Sequence, residues 1–354
     1  MMPVEMIGWI APQVSSEILD SQGPVFDRDV ITETARVHEE ADFDRVLIGY
    51  FSDAPDGFII AAHAASVTTK LGFLLAHRAG FVAPTVAARK FATLDQLCDG
   101  RLAIHLIAGG NDTDQARDGD FTNSATRYRR TAEYADILRK VWTSDSSVNF
   151  TGEFYEVRGQ RSAIKCHQNP HVPIYGGGGS VAAIQSLAPH VDVFMLWGEP
   201  LVATRAFMRR VTAAGGKHGR TPTFSVSTRP ILGKSSNEAW ERAHAIVEKI
   251  IERRGDKVAK EPSNEASRRL LALGDQGEVL DSCLWTATAL ATNAPGNSTS
   301  LVGTPDEVAE ALLKYYELGA TRLLVRGFDP LSDAADYGEE LIPRVRRLVE
   351  KSDR

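Results

Sequence analysis

The sequence predicts an α/β fold, a (β/α)8 TIM barrel with an insertion between strand 7 and the last repeat. Short apolar runs alternate with helical patterns about eight times along the 354 residues, and this alternation requires parallel strand pairing. Eight such repeats close a barrel. A polar stretch at roughly residues 235–300 breaks the rhythm after the seventh strand. We therefore expect a single domain, residues 1–354, that contains the insertion 235–300.

Residues 84–111 form the clearest repeat. Pro84 suits the first turn of a helix, where its missing N–H costs nothing. The helix is predicted to end at Gly100, which can adopt a left-handed cap conformation. Residues 101–108 are nearly all apolar, as expected for a strand that is buried on both faces of a parallel sheet. The strand stops at residues 109–111, Gly-Gly-Asn, where a ligand can approach the backbone closely.

The other elements follow the same rhythm, apart from a predicted hairpin in residues 145–168. Further strands are predicted at 4–12, 45–50, 71–77, 172–175, 191–197, 224–232 and 321–328. Further helices are predicted at 27–41, 56–67, 126–142, from 181, 201–214, 302–319 and 334–350. The insertion begins with a charged helix, 237–257, and continues through a polar stretch to the loop 291–300. We interpret it as a lid or active-site wall, with a surface or oligomer insertion as the alternative.

The composition excludes several classes of protein. The formal net charge is -6 and long basic runs are absent, which argues against a general nucleic-acid binder. Three cysteines, Cys98, Cys166 and Cys283, form no CxxC pair, so a reduced cytoplasmic setting is expected. The N-terminus lacks signal-peptide features, and no stretch approaches the ~18 apolar residues of a membrane span. No metal site is predicted, because Asn-Pro between His167 and His171 prevents a helix.

The glycine run Gly176–Ser180 is the most informative strand end. It joins a predicted strand to a predicted helix, so free N–H groups at the positive end of the helix can surround a phosphate. A tight turn alone needs one or two glycines, whereas this run has four. It also fits a loose dinucleotide pattern, but it follows four earlier repeats instead of opening a Rossmann domain.

Three arginines are predicted at strand ends: Arg78, Arg229 and Arg326. A guanidinium binds carboxylate, phosphate or sulfonate through a planar pair of donors, so together they indicate an anionic ligand, although each alone could form a structural ion pair. Trp197 is either a core residue or an aromatic wall on which a ligand stacks. His77 is typical of a histidine whose hydrogen bonds are satisfied inside the barrel. Because no obvious acid–base group accompanies them, we expect a bound cofactor to supply the chemistry.

Several longer motifs together resemble the bacterial luciferase-like flavin monooxygenases, most closely the alkanesulfonate monooxygenase group. The motifs, which span nearly the whole chain, are PTVAARKFATLDQLCDGRLAIHLIAGG, RYRRTAEYADILRKVW, NFTGEFYEVRG, PIYGGGGSVAA, WGEP and LVGTPDEVAEALLKYYELGATRLLVRGFDPLSDA. The resemblance implies a (β/α)8 barrel that receives reduced FMN from a separate NAD(P)H-dependent flavin reductase. The reduced flavin and O2 then oxygenate the substrate, and sulfonates yield an aldehyde and sulfite. It also implies a homodimer or homotetramer.

The resemblance assigns functions to individual residues. The FMN phosphate would contact Gly178, Gly179, Ser180 and Tyr128, and the isoalloxazine ring would lie near His77, Ala108 and Trp197. We place the catalytic functions on Arg229, Arg326, Trp197 and Gln13. The WGEP motif favours the sulfonate branch.

The chain also departs from the alkanesulfonate pattern at positions that concern the substrate. Gln13 replaces an active-site histidine, Ala54 replaces a cysteine and Phe328 replaces a tyrosine. Ser227 and Arg229 align with an arginine and a histidine of that pattern. The loop 291–300 has no match for the arginine of its mobile loop. The substrate therefore remains open. An organosulfonate is our first hypothesis, and a neutral sulfone, an alkane or an N-heterocycle is the alternative. A third hypothesis is a flavin- or F420-dependent oxidoreductase without oxygenase activity, and a fourth is a non-enzymatic binding barrel.

Overall fold

The computed structural model of this chain describes residues 4–21, 23–255, 262, 264–296 and 298–354. The end of the predicted helix 237–257, part of the polar stretch that follows it, and Asn297 of the loop 291–300 lie outside the described residues. The predicted strands and helices are otherwise covered.

The strands and helices alternate along most of the described chain. The strands are β1 (Glu5–Ile10), β2 (Arg45–Ile48), β3 (Gly72–Arg78), β4 (Leu102–Ile107), β5 (Val148–Thr151), β6 (Glu156–Gln160), β7 (Ile174–Gly177), β8 (Val193–Trp197), β9 (Thr223–Leu232), β10 (Val279–Leu280), β11 (Leu284–Trp285), β12 (Ser300–Gly303) and β13 (Arg322–Val325). The α-helices are α1 (Arg28–Glu40), α2 (Gly57–Ser66), α3 (Pro84–Leu97), α4 (Asp112–Arg117), α5 (Ser124–Thr143), α6 (Val181–Leu187), α7 (Leu201–Gly216), α8 (Ser236–Arg254), α9 (Glu265–Ala272), α10 (Ala287–Thr292), α11 (Pro305–Glu317), α12 (Ser332–Asp336) and α13 (Ile342–Ser352).

The main sheet closes on itself and confirms the predicted (β/α)8 barrel. Its hydrogen-bonded order is β13-β1-β2-β3-β4-β7-β8-β9, and β9 pairs back to β13. The pairings β1–β13, β3–β4, β4–β7 and β9–β13 are parallel. The β5–β6 pair forms a separate antiparallel hairpin, as predicted for residues 145–168.

By backbone contacts the chain divides into two compact units, which are described one at a time. The terminal unit comprises Met1–Val46, Met195–Arg209 and Thr223–Arg354, and the middle unit comprises Leu47–Phe194 and Arg210–Pro222. The core of the middle unit contains β3, which is buried along its whole length, with α3 and α5 packed together. The strand predicted at 71–77 is thus covered on both faces, as is usual for a strand of a parallel sheet.

Strand β9 organises the terminal unit because it pairs with two different strands. Its first half, Ser225–Thr228, pairs with β13, and its second half, Arg229–Leu232, pairs in parallel with β12. Beyond β12 the sheet continues with β11 and then β10, and the pairs β12–β11 and β11–β10 are antiparallel. Arg229 lies where β9 passes from one set of partners to the other.

Two predicted helices differ from the structure. The helix predicted at 302–319 starts only at Pro305, after a capping box formed by Thr304 and Glu307, because residues 300–303 pair with β9 instead. The helix predicted at 334–350 is α12, a π-helical turn over Tyr337–Leu341, and α13. Backbone pairing with a distant strand, which local periodicity cannot reveal, explains the first difference.

Candidate active site

The glycine turn between β7 and α6 brings Gly178 and Tyr128 together in the middle unit. Gly178 has φ +154°, and a Cβ added there would lie 2.6 Å from the Cβ of Ala183 and would also overlap the Tyr128 hydroxyl. Ser180 is the N-cap of α6, and its Oγ accepts a hydrogen bond from the Ala183 N–H at 3.1 Å. A side chain at Gly178 would therefore fill the space beside the Tyr128 hydroxyl.

This turn fits a phosphate group. The first backbone N–H groups of a helix have no partners within the helix and carry partial positive charge. Burial raises the pKa of Tyr128 despite the nearby Arg127 guanidinium, so its phenol stays protonated and can donate a hydrogen bond. These donors match the requirements of a phosphate monoester, such as the phosphate of FMN.

Arg127, which sequence reasoning missed, fixes the end of β4. Its guanidinium is almost fully buried and donates to the carbonyl oxygens of Ala108 at 2.8 Å and Gly109 at 3.2 Å, and to Asp112 at 2.6 Å. The Ala108 carbonyl, predicted near the flavin ring, is thus held by the helix that carries Tyr128. The Arg-Tyr dipeptide was the available signal, but the sequence does not show which partners a buried arginine finds.

His77 lies in an aromatic cluster of the middle unit. Its Nε2 is 2.8 Å from the Tyr134 hydroxyl, which donates in turn to the Val82 carbonyl, so Nε2 is the donating nitrogen. The ring also packs edge-on against Phe58 and Phe91 and is 3% exposed. Burial, aided by the Lys90 charge, lowers the pKa of His77 to about 4. Its predicted contact with the flavin stays a prediction, and these contacts fit a core histidine.

Arg78 is committed to carboxylates of its own unit. Its guanidinium pairs with Asp114 and, at 3.2 Å, with Asp118, and it lies 4.7 Å from the centre of the Tyr50 ring. The Ser52 backbone N–H also donates to Asp114 at 3.2 Å. Arg78 therefore joins β3 to the segment around α4, and its charge is balanced by the protein itself.

In the terminal unit, Arg229 forms a bidentate ion pair with a residue that the sequence did not indicate, Glu17. Nη1 and Nη2 of Arg229 lie 2.7 and 2.9 Å from the two Glu17 carboxylate oxygens. Nη2 also donates to the Gly327 carbonyl at 2.8 Å, and Cζ lies 3.7 Å from the centre of the Phe328 ring. Arg229 is 1% exposed. Its role in an anion clamp stays a prediction, with most of its donors already used.

Arg326, by contrast, has donors to spare. Its Nη2 is 3.9 Å from Glu17, and its Nε is buried without a hydrogen-bond partner among the described residues. Its side chain is 28% exposed, and Cζ lies 4.9 Å from the centre of the Trp9 ring. Burial, followed by the positive charge of Arg229, lowers the pKa of Arg326 to about 10. The group thus remains a cation at neutral pH.

Arg326 lines a small open cleft in the terminal unit. Trp9, Pro330 and Tyr337 contribute to the walls. The turn beyond Arg326 is fixed by Asp333, which accepts hydrogen bonds from the N–H groups of Phe328 at 2.6 Å and Asp329 at 2.9 Å. The cleft therefore combines a fixed cation with aromatic walls.

Trp197 and the WGEP motif contact the insertion. Trp197 packs, partly buried, against an apolar cluster formed by Leu270, Leu273, Ala289 and Ala294. Glu199 forms an ion pair with Arg269 of α9, with the second oxygen 3.0 Å from Nε. The motif thus holds part of segment 235–300 in place, while the catalytic function predicted for Trp197 stays untested.

The remaining departures lie in different surroundings. The side-chain amide of Gln13 donates to the Gly23 carbonyl at 3.0 Å, within the segment between β1 and α1. Ala54 is exposed, and Phe328 is 1% exposed beneath Arg229.

Among the described residues, no three His, Cys, Asp or Glu side chains are grouped so that they could hold a metal ion. None of the helices described is long and apolar enough to cross a membrane.

The fold is that of a TIM-barrel protein, with a glycine turn at the end of β7 whose donors suit a phosphate. The chain belongs to the luciferase-like monooxygenase family, whose model matches residues 6–322. This match confirms the predicted family and the class of oxidoreductase.

Solved structures agree in fold. A long-chain alkane monooxygenase is similar with a TM-score of 0.78 at 17% identity, covering 99% of this chain and 92% of that one. A riboflavin lyase solved with modified FMN and riboflavin gives 0.77 at 17% identity, with 98% and 92% covered. The coenzyme F420-dependent tetrahydromethanopterin reductase from Methanopyrus kandleri gives 0.70 at 16% identity, with 98% and 100% covered. Likeness at this identity concerns the fold alone.

Proposed function

We propose that the chain is the oxygenase of a two-component system that uses reduced FMN and O2 to cleave the C–S bond of an organosulfonate. The observation that carries the substrate class is Arg326. It is a cation beside a cleft with a buried Nε that lacks a partner among the described residues. A sulfonate would pair with its partly exposed guanidinium, whereas a neutral alkane would leave that charge without a ligand partner.

The glycine turn supports FMN as the cofactor. Gly178, Gly179 and Ser180 would surround its phosphate with backbone N–H groups, and the protonated Tyr128 hydroxyl would donate to it. When bound, reduced FMN supplies the electrons that activate O2. The FMN would come from a separate NAD(P)H-dependent flavin reductase, as the family resemblance implies.

The residues of the chain would bind and orient the substrate. In the proposed reaction one oxygen atom of O2 ends on carbon as the aldehyde, the other leaves as water, and sulfur leaves as sulfite. Burial acts to raise the pKa of Glu17, but Arg229 and Arg326 outweigh it and lower this pKa to about 2. Glu17 therefore stays ionised at neutral pH and supplies no proton.

The test is a sulfite-release assay with FMN, a flavin reductase and NAD(P)H across alkyl, aryl and sugar sulfonates. We expect sulfite from at least one class, with O2 uptake that depends on the sulfonate. Arg326→Met should raise KM for that sulfonate by on the order of tenfold or more, and the exposed Arg268→Met serves as the control. No sulfite from any of the three sulfonate classes, or unchanged KM in Arg326→Met, would contradict the proposal.

A neutral substrate is the second candidate, and one observation favours it. Glu17 already balances Arg229, so only part of the positive charge at this site is available. O2 uptake with alkanes or sulfones but not with sulfonates would select this function. Reduction of a substrate by reduced F420, without O2 uptake, would instead select the oxidoreductase alternative.

A further inference from the structure

Around Arg326, the described ionisable groups that face one another carry more positive than negative charge. Two arginines, Arg229 and Arg326, share one carboxylate, Glu17, and these are the charges that act on Arg326 and on Glu17. The next carboxylate along the turn, Asp333, is itself paired with Arg242. The cluster therefore carries a net charge of about +1 near neutral pH.

The single carboxylate is not shared equally. Glu17 lies 2.7–2.9 Å from the Arg229 Nη atoms but 3.9 Å from Arg326. Arg229 is buried, whereas the Arg326 side chain is partly exposed at the cleft. Glu17 thus pairs closely with the arginine that a ligand cannot reach and only weakly with the reachable one.

We propose that Glu17 sets the charge of the substrate: by occupying Arg229 it makes the site selective for monoanions such as sulfonates over dianions of the same shape. This inference rests on the proposed anionic substrate. A bound monoanion would neutralise the cluster. A dianion would leave a net negative charge beside Glu17, and like charges in a partly buried site repel strongly.

The chain offers a matched control at the other end of β1. Glu5 also binds two arginines, Arg45 Nε at 2.6 Å and Arg322 Nε at 3.0 Å. Like Glu17, it is a partly exposed carboxylate with a lowered pKa. Glu5→Gln therefore removes an equivalent carboxylate without changing the cluster at Arg326.

The experiment is calorimetric binding of n-butyl sulfate and n-butyl phosphate at about pH 8. At this pH the sulfate is a monoanion, and the phosphate is mainly a dianion because its second pKa is about 6. Wild type should prefer the sulfate. Glu17→Gln should shift the ratio of the two affinities toward the phosphate by on the order of tenfold, whereas Glu5→Gln should leave the ratio unchanged.

The double variant Glu17→Gln/Arg229→Gln separates charge from structure. It removes both members of the ion pair, restores the net charge of about +1 and should regain the preference for the sulfate. An unchanged ratio in Glu17→Gln, the same shift in Glu5→Gln, or a double variant that still prefers the phosphate would overturn the inference. Charge selectivity without sulfite release would contradict only the proposed cleavage, and sulfite release without charge selectivity would contradict only the role of Glu17.

Discussion

At the scale of single residues, the candidate site depends on a few side chains whose partners are distant in sequence. Arg229 is 212 residues from Glu17, yet the two form a bidentate pair. Arg127 holds two carbonyls at the end of β4 from the first turns of α5. The sequence indicated a ligand contact for Arg229 and no role for Arg127. In both cases the protein itself supplies the partners.

Gly178→Ala should weaken FMN binding and destabilise the glycine turn. The added Cβ would overlap Ala183 and the Tyr128 hydroxyl in a backbone conformation that side chains rarely adopt. We expect a loss of about 1–3 kcal/mol in the free energy of unfolding and at least tenfold weaker FMN binding, measured by urea unfolding and by quenching of flavin fluorescence. Gly216→Ala is the control, because no atom lies within 4 Å of its added Cβ. Equal effects in the two variants would show that Gly178 has no special role.

Three histidines should make stability depend on pH. Burial lowers the pKa of His38, of His77 and of His105 to about 4 from an ordinary value of 6.5. Because the unfolded chain binds these protons first, their contribution to stability is present above about pH 6.5 and is lost as the pH falls toward about 4. Urea unfolding across this range should show a shallower pH dependence in His77→Gln than in wild type. The exposed His218→Gln should retain the wild-type slope, and an identical slope in His77→Gln would contradict the assignment.

At the scale of elements, the described residues of the insertion after β9 contact other parts of the terminal unit. β12 continues the sheet along β9, and α9 is held to the end of β8 by the Arg269–Glu199 pair. Trp197 packs on the apolar side of the same segment. These contacts attach the described part of the segment to the barrel strands, and its role as a lid or active-site wall stays a prediction.

Loss of the Arg269–Glu199 pair should loosen α9. In Arg269→Gln the partly buried Glu199 carboxylate loses its guanidinium partner, which costs about 1–3 kcal/mol locally. We expect faster hydrogen exchange and faster proteolysis within residues 264–296. The neighbouring Arg268→Gln removes an exposed pair with Glu265 and should have little effect. Similar protection in both variants would mean that the pair does not hold the segment.

At the scale of the whole molecule, the closed sheet requires the first strand to pair with the last. Strands β1 and β13 pair from Glu5↔Arg322 onward. Glu5 reinforces this register because it binds Arg322 and Arg45, which lie on either side of it in the sheet. The Glu5 carboxylate thus binds an arginine that lies 317 positions away in the sequence.

Glu5→Gln should therefore lower global stability without affecting anion selectivity. Two guanidinium groups would lose their shared carboxylate, and we expect a loss of about 2–3 kcal/mol. Urea unfolding at neutral pH measures this loss. Arg28→Gln, which removes an exposed pair with Asp29, is the surface control and should change stability by less than about 0.5 kcal/mol. If Glu5→Gln lost no more stability than Arg28→Gln, this role of Glu5 in holding the strand register would be ruled out.

Local patterns in the sequence predicted the barrel and the hairpin, which the structure confirms, and the phosphate-binding role of the glycine turn stays a prediction. Apolar runs, helical periodicity and the glycines of residues 176–179 act locally, so each element can be inferred from its own residues. The tertiary structure decided the start of α11, the burial of His77 among aromatic rings and the pairing of Arg229 with Glu17. The physical reason is that ion pairs and strand pairing depend on which distant groups the fold brings within a few ångströms. An arginine at a strand end looks the same in the sequence whether a carboxylate of the protein or a substrate occupies its donors.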